Sequence, residues 1–551
     1  MIAVSLTTVA AVAQTRQSGR RVMPDGVWVI DRTMPDLMIW QSLVDLTSSD
    51  AFTPIVLHGG DLESSTRGLN HLIRIATHGP VAWVSDRGTP IGLDTDLRLD
   101  PVAAAGIKSA KGPVVYSADA GLDAVAALIA MRVDGVLTPE PPMPGTTAIL
   151  VGVERSLGWH SANLVLPSRS EALAEANRLA RGSAVLVVRE HRLLPEHVLW
   201  AYQRDAKILE VRVPDDYSID DPDAETRAVA SVDGQITAAL PNLVVGGRPQ
   251  ALVIAGDWYQ IPFRFDRGNP AACPGCDNGI YEYSADVEYA NLDNDPWGEP
   301  DVPVGRLMSP HRDLLALQCV VGIWREHGAF RDATDGVVVD LLGNRGGIRD
   351  AVVDRWQSVL PHQVWSAMGP DQPDINFHLD RDDFFALADR SDVVVIHGHG
   401  HPEYLSPRGM GGAYNQALSG EDLLETPFTG QPSFWFIHAC ATGRPDDSPA
   451  SDATLLVGLQ SRLAYGALLA VENIGSGSGD PWWWTATAEA GVPVGELVRR
   501  FHAAGIAVYR DGGQAGPGMP KVQGVPEKDC WNAYSVLSWI GDPLTPVVVA
   551  D

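Results

Sequence analysis

The chain is poor in cysteine and in basic residues, and it has no long apolar run. Five cysteines among 551 residues are too few for a disulfide framework, and their number is odd. Lys and Arg total 41 against 69 Asp and Glu, and the net charge of −28 opposes broad contact with nucleic acid or anionic membrane. No uninterrupted apolar stretch reaches transmembrane length. We therefore expect neither a nucleic-acid partner nor membrane insertion.

The first residues, M-I-A-V-S-L-T-T-V-A-A-V-A-Q, contain a short apolar run and an Ala-Val-Ala that could be cleaved. A secretory signal would carry a positive segment before this run, and none is present. A first β-strand is the better interpretation. With the odd cysteine count, this favours a cytoplasmic protein, with secretion as the alternative.

The composition, 45% hydrophobic and 20% charged, is that of an ordinary globular protein. Short apolar runs recur, each followed by a helical pattern, which predicts an α/β fold with a parallel sheet covered by helices on both faces. Helices are predicted at 170–181, with Ser170 as its cap and Gly182 as its stop, and at 312–326. The Gly-, Asp- and Pro-rich stretch 267–303 predicts a long loop. The apolar runs are 27–30, 54–57, 81–84, 114–116, 148–153, 185–188, 208–211, 252–257, 337–342, 393–396 and 434–437.

Two of these runs end in reactive side chains. V-V-V-I (393–396) leads into H-G-H-G-H (397–401), and F-W-F-I (434–437) leads into His438-Ala439-Cys440. If the two strands are neighbours in a parallel sheet, an imidazole and a thiol meet at the same edge. A cysteine nucleophile needs such a base, and the N–H groups of Gly400 and Cys440 could stabilise an oxyanion.

The run P-I-V-L-H-G-G (54–60) also ends a strand in His-Gly. The first 272 residues contain no cysteine, so this half of the chain offers no partner nucleophile. His58 is therefore predicted to be a turn residue.

A metal site is the alternative for the same cluster. Strand alternation would place His397, His399 and His401 on one face, with His438 and Cys440 on the neighbouring strand, and such a set could bind zinc. No acid is fixed nearby as a general base, and H-E-x-x-H is absent.

Separately, Cys273 and Cys276 form a lone C-P-G-C that could bind a metal or form a local disulfide.

The chain resembles the gingipain-type cysteine peptidases, relatives of the caspases in clan CD. The motifs that carry the resemblance are G-H-G (398–400) and A-C-A-T-G (439–443). Further similar blocks follow in the family's order, and the resemblance begins near residue 184 and extends almost to the end of the sequence. These blocks are 251–262, 284–297, 300–306, 465–484 and 539–549.

The resemblance implies a caspase-like three-layer α/β sandwich with a mostly parallel sheet in two side-by-side subdomains. It implies peptide-bond hydrolysis through a Cys-His dyad, with Cys440 as nucleophile, His399 as catalytic imidazole and the Gly400 N–H in the oxyanion hole. The substrate would be a protein or peptide, and no cofactor would be required. The peptidase domain would cover 182–551, as subdomains 182–330 and 331–551, after an additional α/β domain at 1–181.

The resemblance also suggests binding residues. Asp350 would pair with a basic P1 residue, Trp483 would form a pocket wall and His401 would lie at the pocket rim. Some relatives bind calcium, and the long loop offers Asp293, Asp295, Glu299 and Asp301 as oxygen ligands for a structural calcium ion.

Two further questions stay open at this point. Residues 1–181 are hypothesised either to recruit substrate or to restrain activity as a prodomain. A catalytically silent caspase-like module used for binding remains a third class of function, beside the peptidase and the zinc hydrolase. The natural substrate and the oligomeric state are not indicated by the sequence.

Overall fold

The computed structural model describes residues 26–47, 52–77, 79–88, 92–101, 111–143, 145–154, 163–219, 221–267, 282–293, 300–330, 335–341, 364–368, 381–406, 417–439, 441–443, 453–470, 491–510 and 537–547. The strand predicted in the first residues and the Cys273/Cys276 pair lie outside these ranges. No helix within them is both long enough and apolar enough to cross a membrane.

Strands and helices alternate along the described chain, as the apolar runs predict. The strands are β1 Val27–Asp31, β2 Ile55–His58, β3 Val81–Val84, β4 Leu97–Leu99, β5 Val114–Ser117, β6 Val136–Thr138, β7 Ala148–Val151, β8 Leu164–Leu166, β9 Val185–Arg189, β10 Lys207–Val211, β11 Leu252–Ala255, β12 Arg264–Arg267, β13 Glu282–Ala285, β14 Val304–Leu307, β15 Asp335–Asp340, β16 Val364–Met368, β17 Ser391–His397, β18 His399–Gly400, β19 Tyr404–Ser406, β20 Leu418–Ser419, β21 Phe434–His438, β22 Gly466–Ala470 and β23 Leu537–Gly541. The helices are α1 Asp36–Leu46, α2 Glu63–Ala76, α3 Asp123–Arg132, α4 Arg169–Leu179, α5 Pro195–Gln203, α6 Pro222–Leu243, α7 Arg312–Glu326, α8 Arg381–Ala388, α9 Gly420–Glu425, α10 Leu455–Ser461 and α11 Val494–Arg510.

The largest sheet has ten strands in the order β10-β9-β11-β14-β23-β22-β21-β17-β15-β16. Neighbouring strands whose register is given are parallel, except that β22 and β23 are antiparallel. Strands from 182–330 form one end of this sheet and strands from 331–551 form the rest. The predicted side-by-side arrangement is therefore present as one continuous sheet.

Alternate residues of the central strands enter different cores on the two faces of this sheet. In β17, Val393 and Val395 belong to one core, and Val394 and Ile396 belong to the other. β21 divides its side chains in the same way. A strand that is apolar at every position is buried on both faces, so the prediction of a three-layer α/β sandwich is confirmed.

The N-terminal region contributes two further sheets of four strands, β2-β1-β3-β4 and β6-β5-β7-β8. Its core is continuous with one core of the large sheet, because residues such as Leu57, Ile129 and Leu317 belong to a single cluster. α7 contacts β2, and α2 contacts α10. The domain boundary at 181 remains a prediction, but apolar packing does not stop there.

A buried carboxylate joins the N-terminal region to α7. Asp313 accepts hydrogen bonds from the three backbone N–H groups of 59–61 at 2.7, 2.8 and 3.1 Å. Arg32 Nη2 lies 2.9 Å and His58 Nδ1 lies 3.1 Å from its oxygens. Burial alone would raise the pKa of Asp313, but the hydrogen-bonding and charged neighbours outweigh it and hold the pKa below its usual value.

Three predictions require correction. His58 is not a turn residue but the buried last residue of β2, where it holds Asp313. α4 is capped by Ser168 instead of Ser170, because the Ser168 side chain accepts from the Glu171 N–H. Part of the predicted loop 267–303 is regular, because β13 pairs with β12 and a 3₁₀ helix, Asp286–Ala290, follows.

Asp313→Asn should destabilise the protein by about 3 kcal/mol, because it removes the buried charge that pairs with Arg32 and accepts the three backbone N–H bonds. The measurement is the midpoint of urea unfolding at neutral pH. Asp382→Asn is the matched control, since Asp382 is an exposed acid in the first turn of α8. Equal midpoints for the two variants would contradict the structural role given to Asp313.

Because of Asp61, the free energy of unfolding should fall as the pH rises from about 4 to about 6. Burial and the neighbouring Asp313 raise the pKa of Asp61 to about 6. An acid whose pKa is higher in the folded than in the unfolded state favours folding while it is protonated, and this contribution is lost as the pH rises towards the folded pKa.

Asp61→Asn should remove this decline, and thermal unfolding followed across this pH range measures it. Asp94→Asn, at an exposed acid of the same region, should keep the wild-type slope. A wild-type slope in Asp61→Asn would refute the pKa assignment.

Candidate active site at the carboxyl edge of the sheet

The strands β15, β17 and β21 place three polar side chains side by side where they end. The register is parallel, with Asp340 opposite His397 and His397 opposite His438. His397 Nδ1 lies 3.2 Å from Asp340 Oδ1, and the His397 and His438 rings have centroids 5.1 Å apart. All three residues are buried. His397 is therefore the hydrogen-bonded last residue of its strand.

The five-residue stretch 397–401 is not one continuous strand. β17 ends at His397, and after Gly398 the chain enters β18, which pairs antiparallel with β19. A Cβ at Gly398 would lie 2.9 Å from Leu341 Cδ1, so a larger residue would not fit without a shift. The predicted face of three alternating histidines is therefore wrong, because the strand leaves the sheet after the first of them.

His399 and Gly400 form β18, the first strand of a hairpin whose turn is hydrogen-bonded within itself and to α10. The His401 N–H donates to the Tyr404 carbonyl at 2.9 Å. The Leu455 N–H of α10 donates to the Pro402 carbonyl at 2.8 Å. The short strands of the hairpin thus have a fixed position although few residues form them.

His399 is exposed, whereas Gly400 is buried. Desolvation, followed by repulsion from His397, lowers the pKa of His399. A lowered pKa favours the neutral imidazole near pH 7, which is the form that can accept a proton. His401 is half-buried and stacks on Tyr404 with centroids 4.8 Å apart.

Cys440 lies outside the described residues, but both of its neighbours are described. Ala439 is buried directly after β21, and Ala441 has a φ of 53°, in the left-handed region that non-glycine residues rarely adopt. The Thr442 hydroxyl donates to the Ala439 carbonyl at 3.3 Å. A strained residue in a tight turn at the end of a strand is a common feature of functional sites.

Of the remaining predicted binding residues, Asp293 and Asp301 are within the described residues. Asp350, Trp483, Asp295 and Glu299 lie outside the described residues. Asp293 is exposed. Asp301 uses one carboxylate oxygen to bind Arg248 at 2.5 Å and the other to accept from the Leu292 N–H at 2.9 Å.

Metal ligands do not converge in the described part of the chain. Within it, no three His, Cys, Asp or Glu side chains form a group that could hold an ion, and the four histidines of the proposed zinc set are all included. The zinc and calcium sites thus gain no support from the described geometry.

Asp340 was missed by sequence reasoning. It ends V-V-V-D (337–340), so the rule that selected His397, a polar residue at the end of an apolar run, selects it as well. Its pairing with His397 depends on the strand order, which the sequence does not reveal.

The comparisons with known proteins add little to this geometry. No family model matches the chain, and no curated protein is significantly similar to it. A solved structure described as "Structure of Protease" is 12% identical, with a TM-score of 0.44 over 66% of this chain and 77% of its own. A likeness this distant carries neither fold nor activity over to this chain.

His397→Gln should raise the pKa of His399, because it removes the neighbouring imidazole that repels the charged form. NMR titration of the histidine ring protons measures this, with His399→Gln used to assign the resonance. The control is His191→Asn at an exposed histidine with a φ of 63°, a conformation that asparagine tolerates. An unshifted His399 pKa in His397→Gln would show that the two rings are not coupled.

Proposed function

We propose that the chain is a cysteine endopeptidase with His399 and Cys440 as its dyad. The observation that carries this proposal is the parallel pairing of β17 with β21, with His397 opposite His438. G-H-G and A-C follow these two strands directly, so both motifs leave the sheet at the same edge. The sequence resemblance to gingipain-type peptidases assigns the same two residues.

In the proposed reaction, neutral His399 takes the proton of the Cys440 thiol, and the thiolate attacks the carbonyl carbon of the scissile peptide and forms a C–S bond. His399 gives a proton to the departing amine as the C–N bond breaks. Neutral His399 then takes a proton from water, whose oxygen attacks the thioester and releases the acid and the thiolate. The N–H groups of Gly400 and Cys440 are proposed to stabilise the oxyanion of both steps.

The lowered pKa of His399 is consistent with its role in the second step, which needs a neutral imidazole. Charge repulsion from the buried His397, which is hydrogen-bonded to Asp340, contributes to this lowered pKa. For specificity we propose Asp350 as the partner of a basic P1 residue, with Trp483 as a pocket wall and His401 at the pocket rim.

Digestion of a peptide library tests the proposal with wild type, Cys440→Ala and His399→Ala, each with and without EDTA. We expect wild-type cleavage that resists EDTA and a loss of kcat/KM of at least about 10³-fold in both variants. Iodoacetamide should label Cys440 and abolish cleavage. Cys319 is the internal control, since it is buried and burial raises the pKa of its thiol well above the usual value.

Equal turnover by Cys440→Ala and wild type would overturn the proposal. Activity that is lost to EDTA and survives alkylation would point to the metal-dependent hydrolase. A protein that cleaves no peptide in the library, yet retains a partner, would be a binding module.

A further inference from the structure

A cavity of about 250 Å³ lies between α2 of the N-terminal region and the segment containing α9 and α10. The two sides approach closely at its floor, where a Cβ at Gly68 would lie 3.0 Å from the Ser461 carbonyl oxygen. The Ser64 and Ser461 hydroxyls are also 3.0 Å apart. The cavity is near the lower end of the roughly 300–1,000 Å³ found for small-molecule pockets, so it suits a small ligand.

Four basic side chains line this cavity, and no Asp or Glu is among its described lining residues. Arg67, His71 and Arg74 come from α2, at spacings that put them on one face of the helix. Arg462 follows α10. Such a concentration of positive charge is notable in a chain whose net charge is −28.

Two of these cations are not neutralised by a carboxylate among the described residues. Arg462 forms an ion pair with Asp389 and also donates to the Thr426 carbonyl at 3.0 Å. In contrast, the one hydrogen bond of Arg67 to a described residue goes to the Leu424 carbonyl, at 3.0 Å. Arg74 is exposed and forms no ion pair with a described residue.

The cationic side chains repel one another within this small space. The His71 ring donates to or accepts from the Gly430 carbonyl at 2.7 Å, depending on its tautomer. Burial lowers the pKa of His71, and the charges of Arg74 and Arg462 lower it further, whereas the hydrogen bond to Gly430 and the charge of Asp389 raise it. An anion in the cavity would relieve this repulsion.

The opposite wall of the cavity is apolar. It includes Leu423, Leu424, Pro427 and Phe428, and the Phe428 ring lies edge-on to His71 at 4.8 Å between centroids. We propose that this cavity binds a small organic carboxylate, with its carboxylate on Arg67 and Arg74 and its apolar body against the Leu423–Phe428 wall. Guanidinium groups suit this role because they bind a carboxylate through paired N–H donors.

The site is separate from the sheet edge that carries His399, and its test needs no catalytic activity. Benzoate is the probe, and benzamide is its neutral counterpart of the same shape. Both are titrated into the full-length chain at constant ionic strength, and isothermal calorimetry and thermal unfolding follow binding. We expect benzoate to bind and raise the Tm, and benzamide to do neither.

The double variant R67Q/R74Q should weaken benzoate binding by at least about tenfold, because it removes two charge-assisted contacts. R98Q is the matched control, since Arg98 is an exposed arginine of β4 outside the cavity, and it should bind benzoate as wild type does. Benzoate should also raise the pKa of His71, which NMR titration measures.

Three results would overturn the proposal. They are equal binding of benzoate and benzamide, undiminished benzoate binding by R67Q/R74Q, and no benzoate binding by the wild type. Because the Arg67, Arg74 and Arg98 side chains are exposed, the variants should fold, and the circular dichroism of each variant verifies this.

Discussion

The carboxylate of Asp313 is the interaction on which the assembly of the two halves depends. It lies in the first turn of α7, a helix whose side chains are buried almost throughout. It accepts hydrogen bonds from the backbone N–H groups of the loop that follows β2. An ion taken out of water is tolerated only when it is paired and hydrogen-bonded, so the loop 59–61 and Arg32 must occupy one geometry. Glu196 extends this network, because it lies 3.9 Å from Arg32 and 3.0 Å from Arg312. The N-terminal sheet is thereby oriented on the large sheet by directional contacts as well as by apolar packing.

The candidate site depends on a second constraint, the parallel register of three strands. Once β15, β17 and β21 align, Asp340, His397 and His438 become neighbours without any contribution from loops. Strands that are buried on both faces resist a shift of one residue, because it would move each side chain to the other core. The sheet therefore holds these three polar side chains in fixed positions beside the hairpin that carries His399. The proposed dyad residues, His399 and Cys440, follow the ends of β17 and β21 in the sequence.

The sequence predicted the apolar strands well, because burial on both faces requires unbroken runs such as 185–188 and 393–396. The apolar runs missed β14, β16, β22 and β23 of the large sheet, and in β14 Arg306 interrupts the run. That arginine is fully buried because Asp286 binds it at 2.6 Å and the carbonyls of Gly256, Ile261 and Pro262 accept its other N–H groups, and these partners come from other segments. At the site, the meeting of two strand ends was predictable from the motifs. The end of β17 at His397 was not predictable, because the alternation of His and Gly also fits a continuous strand and the hairpin that follows is held in place by α10.

The antiparallel strand β23 has a consequence for how the protein is made. It lies in the middle of the ten-stranded sheet, between β14 and β22, yet it follows every other described strand in the chain. Until it emerges from the ribosome, β14 and β22 each present an open edge of unpaired backbone groups. Open edges of this kind are prone to pair with other chains. The two halves of the sheet therefore cannot be joined before β23 has left the ribosome.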